Sequence, residues 1–240
     1  MPSRKWVVGK NPSSPRELGG RRGRNPTPGH CQTLERRDVD LLIMASHGYS
    51  GVERLLLGSL TEKVLHQVEI PMLVVGPSRE SGRYEPFVEK PLRTILVAID
   101  LGPATAPSME HASVIAKHYG SKLQAVHVMS PLAEALGGPL WPAAPELIRA
   151  SHEAKTMRAD ERQKLFGPAV GRGFETETLI WEGDPAETLL HLAAERDADL
   201  VVMGAHGHGG TAFGWLRSTC NKVIRATPCP VLAVRKRKNA

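Results

Sequence analysis

Asp199–Val234 reads DLVVMGAHGHGGTAFGWLRSTCNKVIRATPCPVLAV. It opens on the continuous apolar run Leu200-Val201-Val202-Met203, the pattern of a parallel strand covered on both faces. A turn rich in glycine follows, with Gly204, Gly207, Gly209 and Gly210. A helix comes next, and a second apolar strand, Val231 to Val234, closes the unit. A glycine-rich turn between a parallel strand and a helix exposes backbone N–H groups. Together with the helix N-terminus they form a site for phosphate.

The same stretch occurs earlier. Arg37–Val75 aligns without a gap to Arg196–Val234, and Asp40, Leu41, Met44, His47, Gly48, Ser59, Lys63, Pro71, Leu73 and Val75 each recur 159 positions later. That interval is too long for a solenoid repeat and indicates a duplicated domain.

Working outward, the second copy is the longer. Ile95 to Ile99 forms an apolar strand ending at Asp100, and a helix is expected from about Pro107 to Tyr119 with Ala112, Ile115, Ala116 and Tyr119 inward. Leu123 to Val128 and Thr176 to Trp181 read as further strands, with a polar helix over about 146–166 between them. Gly183-Asp184-Pro185-Ala186-Glu187 marks a helix start: Asp184 as N-cap, Pro185 at the first turn, Glu187 as the capping-box acid. Strands alternating with helices argue an α/β fold built on a parallel five-stranded doubly wound sheet. Ligands of such sheets sit beyond the carboxyl ends of the strands, which places Asp100 and the Gly204–Gly210 loop on one crevice.

The first copy, residues 35–77, contains only the last part of this pattern: strand 41–44, a helix carrying Leu56, Leu57, Leu60 and Val64 on one face, and strand 72–75. Everything before its penultimate helix is expected to be missing, leaving an open strand edge. Residues 1–34 are basic and rich in Pro, Gly, Ser and Arg, and only Trp6-Val7-Val8 suggests a strand. Disorder is expected there, with a short helix near 31–37. Residues 78–91 read as a linker, and 92–236 as the complete domain.

Composition is that of an ordinary globular protein, 41% hydrophobic and 23% charged. No apolar run approaches the ~20 residues needed to span a bilayer, and the N-terminus has no apolar core like that of a secretory signal. Cys31, Cys220 and Cys229 form no C-x-x-C pair, which suggests a reducing compartment and a cytoplasmic location. The net charge of +6 is concentrated at the two ends, in Arg4 to Arg24 and in Arg235 to Lys238. Without interleaved aromatics or a reading motif these runs are solvated tails, and neither nucleic acid nor membrane is expected as a partner. His206 and His208, like His47, have no cysteine or carboxylate at ligand spacing, so no metal site is expected. No Ser-His-Asp or paired-carboxylate constellation stands out, so no catalytic residue is assigned.

These residues resemble the universal stress protein family, whose nucleotide-binding members have G-x-x-G, nine residues, then G-S or G-T. The second copy reads Gly204-Ala205-His206-Gly207, nine residues, then Arg217-Ser218; the first reads Ala45-Ser46-His47-Gly48, nine residues, then Gly58-Ser59. The strands before and after the motif match the family too. The resemblance implies a Rossmann-like fold of the adenine nucleotide alpha hydrolase type, with one complete domain and a partial copy. It implies adenine-nucleotide binding in stress-response regulation, ATP with Mg²⁺ or Mn²⁺ as ligand, and at most slow hydrolysis. Residue by residue, Asp100 would meet ribose or the adenine edge, with Ala98 and Ile99 along the same wall and Val128 packed on adenine. Met203, Gly204, His206 and Gly207 would line the ribose and first phosphates, and Ser218 would hold the outer phosphates. Arg217 departs from the motif glycine and either blocks the pocket or pairs with phosphate as a fork donor. In the first copy Ala45 replaces the first glycine, so Ala45, His47, Gly48, Gly58 and Ser59 form a degenerate half-site. The resemblance also implies pairing through the final strands 72–75 and 231–234, within the chain or as a homodimer. The competing reading from another class is an interaction or dimerisation module of the same fold that binds no nucleotide. A nucleotide-dependent ligase or hydrolase is a third.

Overall fold

The computed structural model describes residues 5–8, 39–46, 57–76, 91–100, 104–129, 174–205 and 219–235. They form a mixed eight-stranded sheet: β1 Lys5–Val8, β2 Val39–Ala45, β3 Met72–Val75, β4 Thr94–Ile99, β5 Lys122–Met129, β6 Thr176–Glu182, β7 Leu200–Gly204 and β8 Val231–Val234. Four described helices accompany it: α1 Ser59–Gln67, α2 Thr105–Tyr119, α3 Pro185–Glu195 and α4 Thr219–Ala226. The spatial order is β1-β2-β3-β8-β7-β4-β5-β6.

The second copy supplies β8-β7-β4-β5-β6, all parallel, which is the expected five-stranded doubly wound sheet. Chain direction across the sheet reverses between β4 and β7, so the crevice lies between their carboxyl ends. Strand residues alternate between two apolar layers. Leu96, Val126, Val201, Met203, Val231 and Ala233 pack with α3 and α4. Ile95, Val97, Ile99, Leu123, Ala125, Val202 and Val234 pack with α2 on the other face.

Local rules explain the helices. Asp184 accepts from the backbone N–H groups of Ala186 and Glu187 at 2.9 and 3.0 Å and caps α3, whose first residue is Pro185. α2 ends at Gly120, whose φ of +67° is open to glycine and strained for a side chain. Ala112 and Ala116 of α2 are fully buried as expected, but Tyr119 is 56% exposed. It belongs to the last turn of α2, and its ring stands edge-on to exposed His118.

The first copy departs from expectation at its start. Lys5–Val8 is a strand, paired in parallel with β2, so the expected disorder of 1–34 does not hold for these four residues. Trp6 is level with Leu41 and Val8 with Ile43, the pairing that Ile95 makes with Leu200 and Val97 with Val202 in the second copy. β1 therefore stands to β2 as β4 stands to β7, and the edge of β2 that would have been open is filled. The physical reason is the row of unpaired N–H and C=O groups along β2, which a short extended segment satisfies. The segments expected as a helix near 31–37, a linker over 78–91 and a polar helix over 146–166 lie outside the described residues, apart from Pro91, which precedes β4.

β3 and β8 join the two copies antiparallel, with Met72 opposite Ala233, Leu73 opposite Leu232 and Val74 opposite Val231. The apolar layer under α3 and α4 runs on without a break into Val64 and Leu65 of α1 and Val68 at its end. Arg225 of α4 meets Glu62 of α1 at 3.5 Å, and Arg235 donates to the carbonyl of Leu65 at 2.6 Å. A cation near the last turn of α1 also suits the negative end of its dipole.

Candidate functional site at the carboxyl ends of the strands

β4, β5 and β7 bring the expected residues to one edge. Ala98 and Val128 are half-buried and Met203 buried, and all three pack on the layer shared with α3 and α4. Ile99 does not join them. Its side chain faces the opposite layer under α2, because neighbouring strand residues alternate. Its backbone carbonyl is engaged as well, by Nδ1 of His127 at 2.8 Å.

Asp100 ends β4 with an exposed side chain. Its Oδ1 accepts from the hydroxyl of Thr105 at 3.1 Å. Asp100 does not cap α2: the N-cap position is Ala104, with no side-chain cap bond. A carboxylate at the switch point, steadied by one hydroxyl, is a suitable acceptor for ribose hydroxyls or an exocyclic amine.

Two neighbours of Asp100 were missed in the sequence. Thr105 lies five residues on, and its role depends on how the turn after β4 closes. His127 is buried beneath this edge, and burial holds its imidazole below the ordinary histidine range, opposed by the bond to Ile99 and the charge of Asp100. A histidine inside an apolar strand was the available signal, but its partner is on another strand.

Gly204 is half-buried at the end of β7. His206, Gly207, Arg217 and Ser218 lie outside the described residues. Among the described residues no group of three or more His, Cys, Asp or Glu side chains converges as a metal would need.

The half-site of the first copy is turned on itself. The Ala45 carbonyl accepts from the hydroxyl of Thr61 at 2.8 Å, and the Gly58 N–H donates to the Ser46 carbonyl at 2.8 Å. The Gly58 N–H is thus already used within the first copy. Gly58 itself has φ −55° and ψ 131°, which any residue adopts, so this position of the repeat does not need glycine for its backbone. Ser59 opens α1, while His47 and Gly48 lie outside the described residues.

Comparison with known proteins agrees with this architecture. The model of the universal stress protein family matches residues 13–76 and 91–235. A universal stress protein of Thermus aquaticus is 36% identical over 143 residues, which cover 60% of this chain and 98% of the relative. One from Mycolicibacterium smegmatis is 28% identical over 202 residues, 84% of this chain and 63% of the relative, so the chain spans less than two thirds of that protein. The crystal structure of a universal stress protein from Archaeoglobus fulgidus has a TM-score of 0.56 at 24% identity, covering 85% of this chain and 63% of that one, and shows the same fold. The chain belongs to the universal stress protein family.

Proposed function

We propose that this universal stress protein binds an adenine nucleotide, ATP with Mg²⁺, in residues 92–236 and acts by binding rather than turnover, as a stress-linked regulator in the cytoplasm. One observation carries the reading: the exposed carboxylate of Asp100 stands at the switch point beside Ala98, Val128 and Met203, three apolar groups on one face of the sheet. A carboxylate for the sugar or base edge next to an apolar floor is what a nucleoside needs. The Gly204-x-x-Gly207 turn after β7 would supply backbone donors for phosphate, and Ser218 its hydroxyl. Arg217 would lie over the phosphates as a fork donor. The first copy, with the Gly58 N–H already bonded to Ser46, would serve pairing instead.

A second reading has its own support. The β3–β8 pairing shows the fold used to join copies, so the chain could act as an interaction module without nucleotide. Calorimetry with Mg-ATP on the full chain and on Arg217→Gly separates the two. Binding that weakens in the variant makes Arg217 a phosphate partner. Binding that appears only in the variant means a fold that has lost its ligand through Arg217. Silence from both sinks the nucleotide reading and leaves the interaction module.

A further inference from the structure

Trp181 is a large aromatic residue left 38% exposed at the end of β6, and neither composition nor motif singles it out. Its position follows from two registers. β4 and β5 bring Ile99 level with His127, so Asp100, one residue on, is level with Val128. β5 and β6 bring Val128 level with Trp181. Asp100, Val128 and Trp181 thus form one row across the carboxyl edge. They share a face, because each stands two residues beyond Ala98, Val126 and Leu179 of the layer under α3 and α4. With strands about 4.8 Å apart, the two ends of the row are roughly 10 Å from each other, with the small Val128 between.

One side of the indole is already fixed. The imidazole of His191 on α3 stands edge-on to it, ring centroids 6.4 Å apart at 72°, and His191 Nε2 lies 3.2 Å from Glu195. Among the described strands β6 is the last of the sheet, and none of them covers Trp181 from outside. A carboxylate, a low apolar floor and a held aromatic wall along one row are the elements a planar base would use.

We infer that Trp181 is the outer wall of the base subsite and selects ligands with an aromatic base over phosphates or sugar phosphates alone. The inference rests on the nucleotide reading above and adds a residue to it. Base–aromatic stacking tolerates many bases because each has a π-face, so Trp181 would set the class of ligand while Asp100 reads its polar edge.

The test is calorimetry of the full chain with Mg-ATP and, separately, with inorganic tripolyphosphate, for the parent, Trp181→Ala, Trp181→Phe and Asp100→Ala. Trp181→Ala is expected to weaken ATP about tenfold and leave tripolyphosphate unchanged, with Trp181→Phe restoring most of the loss. If Trp181→Ala binds ATP like the parent while Asp100→Ala loses it, the inference falls and the nucleotide reading stands. Equal weakening of ATP and tripolyphosphate would mean a merely structural role and also overturn it. No ATP binding by the parent removes both. Should Trp181→Ala fail to fold, emission decides: an ATP-induced change in tryptophan fluorescence that is the same in Trp181→Phe as in the parent overturns the inference, and its loss supports it.

Discussion

Leu73 and Leu232 lie directly opposite each other in the antiparallel pair β3–β8, and they are the same position of the repeat, 159 residues apart. A pseudo-twofold axis therefore passes between them, which makes the junction self-complementary in the manner of a symmetric dimer interface. The flanking pairs, Met72 with Ala233 and Val74 with Val231, obey the same symmetry.

A fragment starting at Pro91 would expose the edge of β8 that β3 now covers. Its expected state is a dimer in which Leu232 faces its own copy, since an uncovered apolar strand edge recruits a partner. Light scattering on residues 91–240 checks this, and a stable monomer at high concentration would contradict the equivalence of the two junctions.

Asp184 holds two backbone N–H groups of α3, and its Oδ2 lies 3.3 Å from Lys222 on α4. Burial alone would raise its pKa, but the hydrogen bonds from Glu187, Lys222 and Ala186 together hold it below the ordinary aspartate value. A carboxylate depressed in the folded state stabilises above its unfolded pKa, about 3.9, and that contribution is lost as pH falls through the lower folded value. Asp184→Ala should cost about 1 kcal/mol at neutral pH. Urea midpoints for parent and variant should converge as the pH is lowered below about 4.

His127 has the opposite chemistry. Burial lowers its pKa in the fold, so the unfolded chain takes up a proton that the folded chain refuses. Stability on this account is fully present above the unfolded value, about 6.5, and declines as pH falls from there toward the lower folded value. His127→Gln keeps a donor for the Ile99 carbonyl and should flatten the decline below about pH 6.5 in thermal melts. An unchanged slope would mean that burial does not lower the pKa of His127 in the fold.

Leu192 of α3 has no exposed surface and lies in the layer common to both copies. Leu192→Ala should lower the unfolding free energy by about 2–5 kcal/mol. Val114, on the solvent side of α2, should tolerate serine within about 0.5 kcal/mol. Chemical denaturation of the two variants side by side tests whether this face of the sheet holds the main core.

Much of this was legible locally. The uninterrupted apolar runs at Leu200–Met203 and Ile95–Ile99 have the pattern of covered parallel strands, and Gly183-Asp184-Pro185 announces its helix through capping chemistry that needs no tertiary partner. Asp100 could be placed at the switch point because the end of a strand is a one-dimensional feature. The assignment of Ile99 to the same wall as Ala98 failed on a two-residue period: adjacent side chains of a strand face opposite layers, and the α2 layer claimed Ile99. Trp6-Val7-Val8 was visible as a strand-like scrap, yet three apolar residues in a basic, proline-rich segment carry no signal of a partner.

By itself the chain's sequence determined the strand–turn–helix order, the duplication and the cap of α3, because periodicity, glycine placement and capping act within a few residues. Only the tertiary structure decided that β1 completes the edge of β2, that β3 and β8 close the two copies about Leu73 and Leu232, and that Asp100, Val128 and Trp181 share one row. Those outcomes are pairings of distant strands, in which the unmet backbone groups of one segment choose a partner that no local pattern names.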